Sequence, residues 1–168
     1  MALLIRRCGA TASLTLLFGL AALPVAAQSP VELEMKSLDG RALLLSDLRG
    51  QPLVVDFWAT WCAPCEGQLR ALEALRKSTV GSGVRILVVS IDRDADDARR
   101  YLSERFENHG LLTAHDPEGR ALSDLRAGGI PALFVFDATG RMREKHFGPG
   151  LPEGLESTLS ELRSSSGS

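Results

Sequence analysis

Aromatic side chains are scarce: six Phe, two Trp and one Tyr make up 5% of the 168 residues. That is too little for a base-stacking surface. No long basic run occurs either, and 19 Lys+Arg against 21 Asp+Glu leave a formal charge of −2. Nucleic-acid binding therefore has no electrostatic footprint. Three cysteines are too few for a disulfide-stapled scaffold, and the three histidines (His109, His115, His146) are scattered and unpaired. They offer no second ligand pair to complete a zinc site. No internal repeat is visible. What is present is an apolar fraction of 45%, enough to build the core of one domain and to exclude a disordered or fibrous chain.

Residues 1–27 read as a secretory signal peptide. Arg6 and Arg7 supply the positive end, and Leu14 to Leu23 is almost wholly apolar. That run is short for a bilayer span of ~20 residues. Pro24 breaks it, and Val25-Ala26-Ala27 offers small residues for cleavage after Ala27. Removing Arg6 and Arg7 leaves 17 basic and 21 acidic residues, a net charge of −4. The competing reading is an uncleaved membrane anchor, because the uncharged stretch extends from Cys8 to Val31. Cys8 lacks a lipoprotein context and is expected to leave with the signal. The expected compartment is the periplasm, where disulfides persist. A domain is expected over 28–163, with a flexible tail at 164–168.

The domain alternates strands and helices. Pro30 to Met35 predicts a short strand, Asp39-Gly40 a turn, and Leu43 to Leu48 a run leading into Gly50. Leu53 to Trp58 is apolar except for one acid, as in a strand buried on both faces. After a break at Trp61 to Pro64, Leu69, Leu72 and Leu75 recur at helical spacing over Cys65 to Lys77. Val84 to Ile91 predicts a second buried strand. Asp92 to Asp97 predicts the acidic start of a helix running to about Asn108. Leu111 to Ala114 predicts a strand and Ala121 to Leu125 a short helix. Ala132 to Phe136 and Arg141 to Phe147 predict a hairpin across Asp137 to Gly140, and Pro152 opens a last helix to about Arg163. The pattern predicts a three-layer α/β/α sandwich whose mixed central sheet joins parallel crossovers to one antiparallel edge hairpin.

Cys62-Ala63-Pro64-Cys65 lies between a buried strand and a helix. There Cys62 meets free backbone N–H groups and the positive end of the dipole, which lower a thiol pKa from about 8.5 toward 7 or below. Thiolate is the nucleophile in disulfide exchange. Cys65, one turn on, is expected to be the more buried, resolving thiol. Pro64 fits a first turn, where no donor is needed. A structural disulfide over so small a loop would stabilise little. Asp56, inside an apolar strand, is costly without a purpose or partner. Burial is expected to raise its pKa and make it a proton acceptor and donor near neutral pH. Asp92, Asp94, Asp96 and Asp97 lack the pattern of a calcium loop and read as a solvated helix start. His115 reads as exposed and His146 as a residue of an edge strand.

Asp56-Phe57-Trp58-Ala59-Thr60-Trp61-Cys62-Ala63-Pro64-Cys65 resembles the active-site segment of the thioredoxin superfamily. Gly129-Ile130-Pro131-Ala132-Leu133-Phe134-Val135-Phe136 resembles its second signature, 66 residues on from Cys65 to Pro131. The length of the Asp92–Arg126 region resembles the central insertion of the TlpA/ResA-type branch. The resemblance covers roughly 31–163 and implies a thioredoxin-like fold. It implies Cys62 as attacking thiol, Cys65 as resolving thiol and Pro131 in a cis peptide bond facing them. Trp61, Ala63, Pro64 and Ile130 would border the client, with Ile130 offering its backbone, and Trp58 is expected in the core. Asp56 is similar to the buried acid of thioredoxin itself. Many members of the branch carry an uncharged amide there. Several place a Glu three residues after the second cysteine, and a Pro two residues later, where this chain has Gln68 and Arg70.

The resemblance implies an exported thiol–disulfide oxidoreductase with no bound cofactor and no metal. It would act as a monomer in transient complexes with client proteins. Its electron donor would be a membrane thiol-reducing protein, and its clients apocytochrome c haem sites or oxidase copper-site cysteines. The competing functions are a disulfide-forming oxidase, a Cu(I) chaperone using both thiolates, and a peroxidase. The last would need a Thr/Arg pocket, and Thr60 has no matched Arg.

Overall fold

The computed structural model describes residues 29–78, 83–106 and 110–166. Residues 1–27, expected from the sequence to be a signal peptide, and Cys8, Asn108 and His109 lie outside them. Seven strands form one sheet in the order β2-β1-β5-β4-β3-β6-β7. They are β1 (Glu34–Ser37), β2 (Ala42–Leu44), β3 (Leu53–Trp58), β4 (Arg85–Ser90), β5 (Leu112–His115), β6 (Ala132–Phe136) and β7 (Met142–Phe147). The helices are α1 (Ala63–Ser78), α2 (Ala95–Arg105), α3 (Arg120–Asp124) and α4 (Leu155–Ser165), with a 3-10 turn at Leu45–Leu48. This is the expected α/β three-layer sandwich.

The apolar runs set the centre of the sheet. All six residues of β3 are buried, and so are all five of β6. Side chains alternate across a strand, so β3 feeds two cores. Val54 and Trp58 join one core with the leucines of α1, Ala98 and Leu102 of α2, and Leu155, Leu159 and Leu162 of α4. Leu53, Val55 and Phe57 join the other, with Leu45 and Leu48 of the 3-10 turn and Leu122 of α3. By the same alternation Asp56 points into the α1 core.

The edges depart from expectation. β3, β4 and β5 pair in parallel, and β6–β7 is the expected antiparallel hairpin. A second antiparallel edge exists: β1 pairs antiparallel with both β2 and β5. The turn at Asp39-Gly40 makes it, with Gly40 at φ +87° and Ser37 N–H donating to Arg41 O at 2.8 Å. That turn lets the chain double back as β2 before the 3-10 turn, so strand β1 sits later than Pro30 to Met35. Helix α2 starts at Ala95 because Asp94 caps it, accepting from Asp96 N–H at 2.9 Å. Among the described residues no helix is long and apolar enough to cross a membrane.

Candidate active site

The site forms where β3 ends and α1 begins. The Cys62 N–H donates to Ala59 O at 3.1 Å and the Cys65 N–H to Cys62 O at 3.0 Å, which winds the loop into α1. Cys62 directly precedes the helix and Pro64 occupies its first turn. Cys62 and Cys65 are joined as a disulfide, with Cα atoms 5.3 Å apart. Cys62 keeps 7% exposure and Cys65 none, so Cys62 is the more accessible of the two. Trp61 is 68% exposed beside them, whereas Trp58 is buried at 1%. Ala63 and Pro64 are also exposed.

The register brings the second signature to the same end of the sheet. β6 runs antiparallel to β3, with Phe57 opposite Ala132. Pro131, one residue earlier, therefore stands where β3 hands over to the cysteine loop. The Ile130–Pro131 bond is cis, as the resemblance implies. Pro131 is buried and Ile130 half-buried.

Asp56 is fully buried between Val88 of β4 and Leu133 of β6. Its Oδ1 accepts from Gln68 Nε2 of α1. Burial pushes its carboxyl up to about 8, and the Gln68 bond works in the opposite direction. An acid in that range can hold or release a proton near neutral pH.

Two residues behave differently from expectation. Asp92 is not part of a solvated helix start: it is buried at 2%. Its carboxylate accepts from Thr60 N–H at 3.1 Å, from Thr60 Oγ1 at 2.8 Å and from Ser90 Oγ at 2.8 Å. It thus ties the loop before Trp61 to the end of β4. Thr60 lies 32 residues away, so a local acidic run could not reveal it. His115 is half-buried rather than exposed, with Nε2 2.7 Å from Asp92 O. Glu66, which sequence reasoning passed over, accepts from Arg70 at 2.7 Å, Tyr101 at 3.0 Å and Arg105 at 3.1 Å. Those donors, Arg70 foremost, hold its carboxyl below the usual range. The i, i+4 spacing of Glu66 and Arg70 was the available signal.

A family model described as the AhpC/TSA family matches residues 26–145, well over half of the chain. The chain belongs to the AhpC/TSA family. Within it, the chain is 28% identical over 127 residues to the thiol-disulfide oxidoreductase ResA of Bacillus cereus (strain ZK / E33L), covering 74% of this chain and 71% of that protein. It is 32% identical over 117 residues to the thiol:disulfide interchange protein DsbE of Vibrio cholerae, covering 70% and 61%. The fold matches the exposed lipoprotein thioredoxin of Streptococcus pneumoniae strain TIGR4 with a TM-score of 0.66 at 24% identity, covering 78% of this chain and 99% of that one. The fold is thioredoxin-like, and this AhpC/TSA member is a thiol–disulfide oxidoreductase in which Cys62 and Cys65 are joined as a disulfide.

Proposed function

We propose that the protein is exported to the periplasm and reduces disulfides in client proteins, with Cys62 attacking and Cys65 resolving. The observation that carries the reading is the Cys62–Cys65 pair at the start of α1, following the strand that holds the buried Asp56. The Cys62 thiolate attacks a client disulfide. An S–S bond forms between Cys62 and the client, and the first client thiolate leaves. Cys65 then loses its proton, with Asp56 as acceptor, and attacks the Cys62 sulfur. The second client thiolate leaves, the client has gained two electrons, and the enzyme holds the disulfide. A membrane thiol-reducing protein restores the dithiol. Trp61, Ala63, Pro64 and Ile130 form the client surface, which is apolar and uncharged. Clients of this chemistry are apocytochrome c haem-site cysteines or oxidase copper-site cysteines. The relatives named for thiol–disulfide exchange support the class, and Arg6, Arg7 and the apolar run after them support export.

Ala63-Pro64 carries no histidine to stabilise the Cys62 thiolate further, which favours the reducing direction over the oxidase. The peroxidase reading loses its threonine, since Thr60 Oγ1 is engaged by Asp92 at 2.8 Å. The decisive experiment is equilibration of the protein in glutathione and dithiothreitol buffers. A potential near the ~−270 mV of thioredoxin supports the reductase, and one near the ~−120 mV of strong oxidants overturns it. Stoichiometric Cu(I) binding without disulfide reduction would favour the chaperone instead.

A further inference from the structure

Two oxygens in the α1 core have no hydrogen-bond partner among the described residues: Oδ2 of Asp56 and Oε1 of Gln68. Gln68 is itself only 1% exposed, an amide set between Cys65 and Leu69 on the buried face of α1. A buried amide oxygen without a donor is costly, so an apolar residue would serve that face better if packing were its only role. The amide is engaged at one end only, where Nε2–H donates to Asp56 Oδ1. Its other neighbour is fixed by the helix: residues three apart share a face, so Gln68 stands one turn beyond Cys65. In the disulfide, Cys65 has no hydrogen to offer. Reduction gives it one.

We propose that Gln68 is a positioning residue linking the buried acid to the resolving thiol: Nε2–H fixes the Asp56 carboxylate through Oδ1, and Oε1 accepts the S–H of Cys65 once the disulfide is reduced. The inference rests on the reading of Asp56 as the proton acceptor. In the resolving step the Cys65 S–H bond breaks, its electron pair stays on sulfur, and an O–H bond forms at the free Asp56 Oδ2. Gln68 neither gains nor loses a proton. By donating to Oδ1 it favours the charged carboxylate, so its removal makes Asp56 hold a proton to higher pH. Few other groups compete for this control. In register, β4 and β6 present Val88 and Leu133 to Asp56. The same core receives only leucines from α4, and Ala98 and Leu102 from α2. Its titratable members are the two cysteines and, at its margin, Tyr101, whose hydroxyl is committed to Glu66, itself held by Arg70 and Arg105.

The test is the pH dependence of the resolving step in the full protein, measured for wild type, Gln68→Met, Gln68→Glu and Asp56→Asn. Gln68→Met should move the midpoint alkaline by about one pH unit, roughly the effect of losing one charge-assisted hydrogen bond. Gln68→Glu sets a second carboxyl against Asp56 and should split the titration into two steps, the upper one above the wild-type midpoint. In the unmutated reduced protein, the Gln68 side-chain amide resonances should titrate with the same midpoint as the rate. An unchanged midpoint in Gln68→Met, with only its melting temperature altered, overturns the proposal. So do Gln68 amide resonances that ignore pH, a readout needing no variant to fold. Asp56→Asn separates the two ideas. If it keeps the wild-type pH profile, the acid–base reading of Asp56 fails. If it flattens the profile while Gln68→Met does not shift it, only the role of Gln68 fails.

Discussion

Asp56 and Asp92 are both buried carboxylates near the cysteine loop, Asp56 in the strand that leads to it and Asp92 bonded to Thr60 within it, yet their surroundings are opposite. Asp92 sits where β4 ends and the backbone is irregular, so donors converge on it: the Thr60 N–H, the Thr60 hydroxyl and the Ser90 hydroxyl. Asp56 sits inside β3, where the backbone N–H groups serve the sheet ladder and, among the described residues, only Gln68 reaches it. Burial removes water from both, but only the carboxylate with donors has it replaced. A saturated acid fixes a loop, whereas an undersaturated one is left ready to take a proton. Within one molecule, the number of donors separates an anchoring acid from one with an unpartnered oxygen more clearly than depth does.

Asp56→Asn tests that contrast most strongly. Because the folded carboxyl is raised from 3.8 to about 8, the wild-type fold is least penalised below pH 3.8 and loses stability as pH rises toward about 8. Asp56→Asn should remove this slope and raise stability at alkaline pH by about 3–5 kcal/mol. Urea unfolding at acid and alkaline pH measures it, and parallel slopes for the two proteins would break the contrast. The same variant should slow client reduction at neutral pH about tenfold or more, as loss of a positioned acid–base group does.

Asp92→Ala should act in the other direction. It strands the Thr60 N–H and two hydroxyls and should cost about 2–3 kcal/mol. Trp61 fluorescence should change with it, since Thr60 immediately precedes Trp61. A variant as stable as wild type would show that donors around a buried acid are incidental. Asp116 extends the comparison. It is 6% exposed and accepts from the N–H groups of Arg120, Ala121 and Leu122 at 2.9–3.3 Å, serving the start of α3. Asp116→Ala should cost about 1–2 kcal/mol, as loss of a helix cap does, and leave the redox potential of Cys62–Cys65 unchanged. The smallest effect on stability belongs to Trp61→Ala. At 68% exposure its loss should change stability by under about 0.5 kcal/mol while raising KM for a client several-fold.

Much of this was legible in the chain. Leu53–Trp58 and Ala132–Phe136 are strands with the bounds that their apolar runs predict, because strands buried on both faces leave continuous runs. Asp56 announced itself as the one acid in such a run, and the cysteines as a pair at a strand-to-helix break. What escaped depends on distance along the chain. Asp92 reads as one of four nearby acids until Thr60 is folded against it. The β1–β2 edge hangs on β5, some 80 residues away. Gln68 could be noticed as an amide on a leucine face, but its partner Asp56 lies on another element, and only the fold joins them.

The two rims of the sheet carry a further meaning. One rim strand, β2, is three residues long, and the other, β7, spaces Arg143 and Lys145 along its exposed positions. Neither offers the long apolar backbone edge on which a foreign strand can dock and spread. A thiol–disulfide oxidoreductase meets other polypeptide chains, and an open sheet edge would let it be recruited into their aggregates. Here the perimeter is too short on one side and, on the other, interrupted by Arg143 and Lys145 before Phe147, so neither rim serves as a seed.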